Sequence, residues 1–186
     1  MTIILIAAIS ANSGLGKSNG DLLFHIKEDM KNFQDYTEGQ LCVFGRKTFE
    51  SIVHQTGGAL KKRTSIVLTS DVNYESKYGE IAYTSIDTII NHHKTMGDKD
   101  KKVFICGGSE IYSLFMEFAD QIILTHINKH VEESEIFYPM SLQDSYNFVP
   151  IEESEEYYTE KYDAYYKFVR YTRARDITEG GVDDGE

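Results

Sequence analysis

The chain has 186 residues, 41% of them hydrophobic and 26% charged, and its 19 Lys and Arg against 30 Asp and Glu give a formal net charge of −11. This size predicts one domain that needs no metal or disulfide for its core, and the negative charge argues against nucleic acid as a partner. No apolar run reaches the roughly 20 residues of a membrane-spanning helix. The apolar stretch at 3–9 lacks a basic segment before it and a cleavage site after it, so we interpret it as a strand and expect a cytoplasmic protein.

Short strand-like and helix-like segments alternate along most of the sequence. β-branched apolar runs predict strands at 3–9, 41–44, 65–68, 102–106 and 121–127, and amphipathic patterns predict helices at 26–36, 46–54, 85–93 and 109–118. This alternation predicts a largely parallel sheet with helices on its faces. Residues 146–153 and 163–173 change to a period of two, which is typical of antiparallel strands added at a sheet edge. We place one domain at residues 1–175 and an acidic, flexible tail at 176–186.

The helix predicted at 26–36 carries an acidic residue near its apolar side. Ile26, Met30 and Phe33 lie at i, i+4 and i+7 and form the predicted inward stripe, and Asp29 lies at the edge of that stripe. Burying an ionised carboxylate without partners is very costly. Asp29 is therefore expected to meet a polar ligand or a hydrogen-bond network, or to have a raised pKa.

Residues 11–18, ANSGLGKS, match a loose phosphate-loop pattern with alanine in place of the first glycine, which makes a nucleotide kinase a candidate function. That loop requires Ser18 to begin a helix, yet the chain continues with Asn19-Gly20-Asp21, which is typical of a turn. None of the predicted strands ends in a magnesium-binding aspartate. The kinase is therefore the least favoured alternative.

Two glycine sites at predicted strand-to-helix junctions are typical of phosphate binding. They are Gly45-Arg46-Lys47-Thr48 and Gly107-Gly108-Ser109. Both would lie at the carboxyl ends of parallel strands, where a diphosphate could bridge them, although such glycines also serve tight packing alone. Thr69-Ser70 adds hydroxyls near the two cations, which suits the further phosphate that distinguishes NADPH from NADH and equally suits a simple turn. The full GxGxxG fingerprint is absent, which disfavours an ordinary Rossmann dehydrogenase.

The other chemistry-bearing residues are less specific. Arg63 follows Lys61 and Lys62, and it either belongs to a solvated basic loop or binds a substrate carboxylate. Cys42 and Cys106 lie in apolar runs and are interpreted as core residues. The six histidines lack the spacing of metal ligands, so no metal is expected.

Taken in order, these segments resemble the dihydrofolate reductase family over about residues 3–173. The resemblance is carried by IILIAAIS, Gly16 with Asn19, LLFHIKEDMKNF, FGRKTFESI, the basic segment ending at Arg63, LTS, ICGGSEIY and LTHI. It implies a doubly wound α/β fold with a mostly parallel eight-stranded sheet, an antiparallel C-terminal edge and helices on both faces. It also implies hydride transfer from NADPH to C6 of 7,8-dihydrofolate with protonation at N5. The product, tetrahydrofolate, would support one-carbon and thymidylate metabolism, and antifolate-like molecules would bind the same site.

The resemblance implies roles for the matching positions of this chain. Asp29 becomes the one acidic group of the active site, which binds the pterin with support from Thr125 and promotes its protonation. Arg63 would bind the α-carboxylate of the substrate's glutamate tail, and the Gly107-Gly108 peptide would be cis. The other substrate-binding positions are Ile6, Ala8, Leu22, Phe24, Phe33, Ser51, Ile52 and Cys106. The cofactor-binding positions are Ala8, Leu15, Gly16, Asn19, Gly45, Arg46, Lys47, Thr48, Leu68, Thr69, Ser70, Cys106, Gly107, Gly108, Ser109, Glu110, Ile111 and Tyr112.

Four features depart from the family pattern. The segment VHQTGGALKK at 53–62 replaces a shorter, proline-containing stretch. Leu22-Leu23-Phe24 stands where the family has Leu-Pro-Trp, and the mobile loop is one residue longer around Gly20-Asp21. Ser134-Glu135 replaces an Asp-Thr pattern that contacts this loop, so that contact is left open. A pyrimidine reductase of riboflavin synthesis, which shares the sheet and the NADPH site, is the main alternative, although it would not need Asp29 on an apolar helix face. We expect a monomer.

Overall fold

One central β-sheet organises the protein, and the computed structural model describes residues 2–95 and 102–174. The strands are β1 (Thr2–Ile9), β2 (Gly14–Gly16), β3 (Leu41–Gly45), β4 (Thr64–Leu68), β5 (Ile81–Tyr83), β6 (Lys102–Ile105), β7 (Gln121–Ile127), β8 (Ile136–Phe137), β9 (Phe148–Glu153), β10 (Tyr157–Thr159) and β11 (Ala164–Arg173). The helices are α1 (Lys27–Thr37), α2 (Arg46–Thr56), α3 (Ile86–Thr95), α4 (Ser109–Phe115) and α5 (Met140–Ser145), and a 3-10 turn spans Met116–Phe118.

The strands of the central sheet follow the order β10-β11-β7-β1-β6-β3-β4-β5. The six strands from β7 to β5 in this order are parallel, and β11 runs antiparallel to β7. β9 and β10 pair with different stretches of β11, so together they fill one edge position. The sheet therefore has eight strand positions, mostly parallel with an antiparallel C-terminal edge, which confirms the predicted fold.

Helices cover both faces of the sheet. α3 and α4 pack Ile89 and Phe115 into the core on one face, and α1 and α2 pack Phe33 and Phe49 into the core on the other. Because the six central strands are parallel, their carboxyl ends lie at one edge of the sheet, where ligands bind in folds of this class. The residues that follow β1, β3, β4 and β6 meet at this edge.

The inward face of the first helix differs from the predicted one. Ile26 is buried but extended, with φ −93° and ψ 123°, and it precedes α1 instead of beginning it. Met30 is 39% exposed, so its prediction as an inward residue is wrong. The less exposed side of α1 runs through Asp29, Phe33 and Thr37, at i, i+4 and i+8. Asp29 therefore lies on the inward stripe itself.

Short elements account for most of the remaining differences from the sequence prediction. The sequence patterns miss β2, β5, β8, β10 and α5, each of two to six residues, because so few residues carry no clear periodicity. The helix predicted at 109–118 ends as α4 at Phe115 and continues as the 3-10 turn. The tail predicted at 176–186 lies outside the described residues.

None of the helices within residues 2–95 and 102–174 is long and apolar enough to cross a membrane. In the same two stretches, no cluster of three or more His, Cys, Asp or Glu side chains is arranged to hold a metal ion. Cys42 is buried and Cys106 is half-buried, and both are free thiols.

Candidate active site

The carboxylate of Asp29 is hydrogen-bonded to the central sheet. Thr125 of β7, which is 2% exposed, donates a hydrogen bond of 2.6 Å from Oγ1 to Asp29 Oδ1. Asp29 lies in the first turn of α1, where the helix dipole favours negative charge. Burial raises the pKa of Asp29, and the hydrogen bond from Thr125 offsets part of that rise. Asp29 Oδ2 makes no hydrogen bond to a described residue, so it can accept one from a ligand.

Apolar side chains flank this carboxylate. Ala8 of β1 and Phe168 of β11 pair in register with Thr125 on either side. The predicted wall residues divide between two apolar clusters, with Ile6, Phe33, Ile52 and Cys106 in one and Ala8 and Phe24 in the other. A carboxylate between apolar walls suits a flat, mostly apolar ligand with one polar edge.

The structure adds two residues that the sequence analysis misses. Ala59 and Leu60 pack against the same apolar cluster as Phe33 and Ile52. Their only signal in the sequence is that they are an apolar pair between glycines and lysines, in a segment that differs in length from the family pattern. They add to the apolar wall that this cluster forms.

Arg63 is fixed beside this wall. Its Nε donates to Thr37 Oγ1 at 2.7 Å, and its two terminal nitrogens donate to the carbonyls of Lys61 at 2.6 Å and Gln34 at 3.2 Å. The guanidinium lies 5.8 Å from the ring centroid of Phe33. These contacts exclude a freely solvated side chain, and each terminal nitrogen retains a hydrogen for another acceptor.

Phe24, which stands in place of the family's tryptophan, packs on an aromatic residue from the far end of the chain. It is 7% exposed, and its ring meets that of Tyr162 edge to face with centroids 5.1 Å apart. The backbone N–H of His25 donates a 2.6 Å hydrogen bond to the Tyr162 hydroxyl. Tyr162 therefore supports the segment that leads into α1.

The loop that follows β2 is fastened at two points. Glu135 Oε2 accepts hydrogen bonds from Ser18, at 2.7 Å from the backbone nitrogen and 2.8 Å from Oγ, and these bonds lower the pKa of Glu135. Ser51 Oγ donates to the carbonyl of Gly20 at 3.0 Å. Ser51, predicted to bind substrate, thus contacts the loop, and the contact left open at Glu135 exists.

The phosphate-loop interpretation fails on this geometry. Residues 17–20 form a turn, and the next helix begins only at Lys27, so Ser18 opens no helix. Asn19 and Asp21 hydrogen-bond to each other within the turn, and Leu22 is 47% exposed. A phosphate would find no helix N-terminus at this position.

The two predicted glycine sites lie against each other. The backbone N–H of Gly45 donates a 2.8 Å hydrogen bond to the carbonyl of Gly107, and the Gly107-Gly108 peptide is cis. A Cβ at position 45 would lie 2.9 Å from a side-chain carbon of Ile111, and Gly107 has φ +102°, which L side chains rarely adopt. Both positions therefore require glycine. Gly108 precedes α4, and Gly45 precedes α2, whose first backbone N–H groups have no helical partner.

The other predicted cofactor residues surround this pair. Arg46 pairs with Glu50, Lys47 and Ser70 are exposed, and Thr69 Oγ1 accepts a hydrogen bond of 3.1 Å from the backbone nitrogen of Asp71. The Tyr112 hydroxyl donates to the carbonyl of Ile6 at 2.8 Å and so links α4 to β1. The remaining positions lie on β2, on α2, at the end of β4 or on α4: Leu15, Gly16, Thr48, Leu68, Ser109, Glu110 and Ile111.

These residues fit a dinucleotide with an extra phosphate. Backbone N–H groups at the start of α2 and two adjacent cations suit phosphate oxygens, and the glycines let α4 pack closely against the start of α2. Cys106 and Ala8 connect this region to the apolar cleft at Asp29. A ligand could thus extend from the start of α2 to the carboxylate.

Comparison with known proteins identifies one family. The family model described as "Dihydrofolate reductase" matches residues 2–173. A dihydrofolate reductase of Staphylococcus haemolyticus is 31% identical over 166 residues, 89% of this chain and 93% of that protein. One of Bacillus subtilis is 30% identical over 179 residues, 96% of this chain and 99% of that protein. A solved dihydrofolate reductase of Enterococcus faecalis, complexed with NADP(H) and RAB-propyl, is 26% identical with a TM-score of 0.80 and covers 93% of this chain and 96% of its own.

Proposed function

This chain belongs to the dihydrofolate reductase family, and we propose that Asp29 is the acidic group with which it binds dihydrofolate and promotes its protonation. The enzyme reduces 7,8-dihydrofolate to 5,6,7,8-tetrahydrofolate with NADPH. One observation carries the proposal for Asp29. Its carboxylate lies on the inward stripe of α1, Oδ1 is bonded to Thr125, and Oδ2 has no hydrogen-bond partner among the described residues.

Asp29 performs two tasks in this proposal. Its two oxygens accept hydrogen bonds from the pterin's ring nitrogen and 2-amino group, a paired arrangement that fixes the orientation of the ring. NADPH supplies the hydride for C6, and N5 must gain a proton. Burial raises the pKa of Asp29, which brings its protonation closer to neutral pH and lets the carboxyl group promote proton delivery to N5 through solvent. Thr125 keeps the carboxylate oriented, and the apolar walls limit water around it.

Arg63 is proposed to bind the α-carboxylate of the substrate's glutamate tail. Its three hydrogen bonds hold the guanidinium beside Phe33 before any ligand arrives, which lowers the entropy lost on binding. Ala59, Leu60 and Ile52 would contact the ring between the pterin and the tail. Antifolate-like molecules that share the pterin's polar edge would use Asp29 in the same way.

The cofactor is proposed to bind across Gly45 and Gly108, with Arg46, Lys47, Thr69 and Ser70 near the phosphate that distinguishes NADPH. The support is the mutual contact of the two glycine sites and their position beside α2. Tyr112 supports this region by bonding to Ile6.

We also propose that the enzyme acts as a cytoplasmic monomer and does not bind nucleic acid. Both cysteines are free thiols, which suits a reducing compartment. The exposed sheet edge carries Glu152, Glu153, Glu155 and Glu156. Arg170 and Lys167 pair with the first two, and the charges of Glu155 and Glu156 oppose edge pairing between two copies. Size-exclusion chromatography with light scattering should give the mass of one chain, and a dimer would contradict the proposal.

The activity is tested by following the loss of NADPH absorbance with purified protein and dihydrofolate. The proposed function requires turnover that depends on both compounds. Absence of turnover with dihydrofolate, together with reduction of an aminopyrimidine ribosyl substrate, would instead support the pyrimidine reductase.

A further inference from the structure

The guanidinium of Arg46 already has an anionic partner on its own helix. Arg46 NH1 donates to both carboxylate oxygens of Glu50, at 2.9 Å and 3.1 Å, one turn along α2. Their side chains are 40% and 50% exposed. The other guanidinium nitrogens make no hydrogen bond to the residues that the structure describes. Their N–H groups can therefore donate to a ligand.

This ion pair lies at the edge of the sheet where the cofactor phosphate is proposed to bind. Gly45 at the end of β3 pairs in register with Leu68 at the end of β4, so Arg46 and Thr69 follow neighbouring strands at the same level. Arg46, Glu50 and Asp71 line one cavity of about 580 Å³ between α2 and the segment that follows β4. An anion bound to Arg46 would therefore lie close to the carboxylate of Glu50.

We propose that Glu50 is a specificity-determining residue that competes with the extra phosphate of NADPH for Arg46 and so reduces the preference for NADPH over NADH. This inference rests on the proposed cofactor site. A phosphate monoester carries about −1.5 to −2 charges at neutral pH, so it must share Arg46 with Glu50 and is repelled by the carboxylate. NADH lacks this phosphate and leaves the pair undisturbed.

The test measures the Kd of NADPH and NADH by isothermal titration calorimetry. In Glu50→Gln, which keeps the side chain's size and removes its charge, the Kd of NADPH should fall about two- to fivefold, and that of NADH should stay unchanged. The gain should shrink in high salt because exposed charges are screened. In the double variant that combines Arg46→Ala with Glu50→Gln, the Kd of NADPH should equal that of Arg46→Ala alone, because Glu50 acts through Arg46.

Asp35→Asn provides a matched control. It breaks the exposed i, i+4 pair between Lys31 and Asp35 on α1, and it should change neither Kd. If Glu50→Gln leaves the ratio of the two Kd values unchanged, or weakens NADPH binding, the competition between Glu50 and the phosphate is refuted. The proposed cofactor site is not affected by that result. If the wild type binds neither dinucleotide, the cofactor site and this inference fail together.

Discussion

Thr125 and Asp29 are 96 residues apart in the sequence, yet the hydroxyl of one lies 2.6 Å from Oδ1 of the other. The bond joins β7 to the first turn of α1 and gives a partly buried carboxylate a fixed orientation. A carboxylate held in this way is prepared for a ligand that presents donors to its second oxygen. Such preorganisation removes the need to reorient the group during binding or reaction.

Thr125→Val should change the pH dependence of the reaction. The hydrogen bond from Thr125 lowers the pKa of Asp29 against the effect of burial, so its loss should raise that pKa further. The inflection assigned to Asp29 in the profile of kcat/KM against pH should therefore move to higher pH. Thr172→Val, which alters a partly exposed hydroxyl on β11, is the control. A profile in Thr125→Val that superimposes on that of the wild type would contradict the role of this bond.

Asp29→Asn should stabilise the folded protein at pH 7. The folded-state pKa of Asp29 lies above its unfolded value, so the folded chain binds more protons between these two values and stability falls as pH rises through that window. Above both values the full penalty is present, and removing the charge should raise the free energy of unfolding by on the order of 1 kcal/mol. The gain should shrink as the pH falls towards about 4. Urea unfolding across this pH range measures the gain in the free energy of unfolding. A variant less stable than the wild type at pH 7 would contradict the claim that the charge of Asp29 destabilises the fold.

Ser18→Ala should loosen the loop that follows β2. The variant loses the hydroxyl bond to Glu135 and keeps only the backbone bond. Trypsin should then cut after the exposed Lys17 several times faster, because cleavage requires local opening of the loop. Ser76→Ala, in an exposed segment elsewhere, should leave the cutting rate unchanged. Equal cutting rates in Ser18→Ala and the wild type would show that Glu135 does not fasten the loop.

Phe24→Trp, which restores the family's usual residue, should destabilise this protein. Phe24 is 7% exposed and its ring already contacts Tyr162, so the larger indole has to displace that ring. Overpacking of this kind costs about 1–3 kcal/mol in the free energy of unfolding. Urea unfolding gives the change in the free energy of unfolding, and Phe168→Trp on β11, which makes the same change of side chain, serves for comparison. Unchanged stability in Phe24→Trp would mean that the site retains room for tryptophan.

The sequence predicts the sheet well because buried parallel strands are continuous apolar runs. It fails where partners lie far apart in the chain. β2 and β8 are two or three residues long and exist through pairing with each other. The edge strand is split into β9 and β10, which pair with separate stretches of β11, and no periodicity marks the break.

The site shows the same division. Asp29 is recognisable because an acid near an apolar stripe is unusual. Its position on the inward stripe itself depends on Ile26, whose extended backbone delays the start of α1 by one residue. The contact between Ser18 and Glu135 spans 117 residues and has no local signal. The pairing of Arg46 with Glu50 is the opposite case, since the i, i+4 spacing alone makes it predictable.

The rate of dihydrofolate reduction in Asp29→Asn tests the central claim most directly. If Asp29 orients the pterin and promotes protonation, kcat/KM at pH 7 should fall about 10²- to 10⁴-fold, while the Kd of NADPH stays unchanged and the variant remains folded. A folded Asp29→Asn enzyme that reduces dihydrofolate within a few-fold of the wild-type rate at pH 7 would contradict the account.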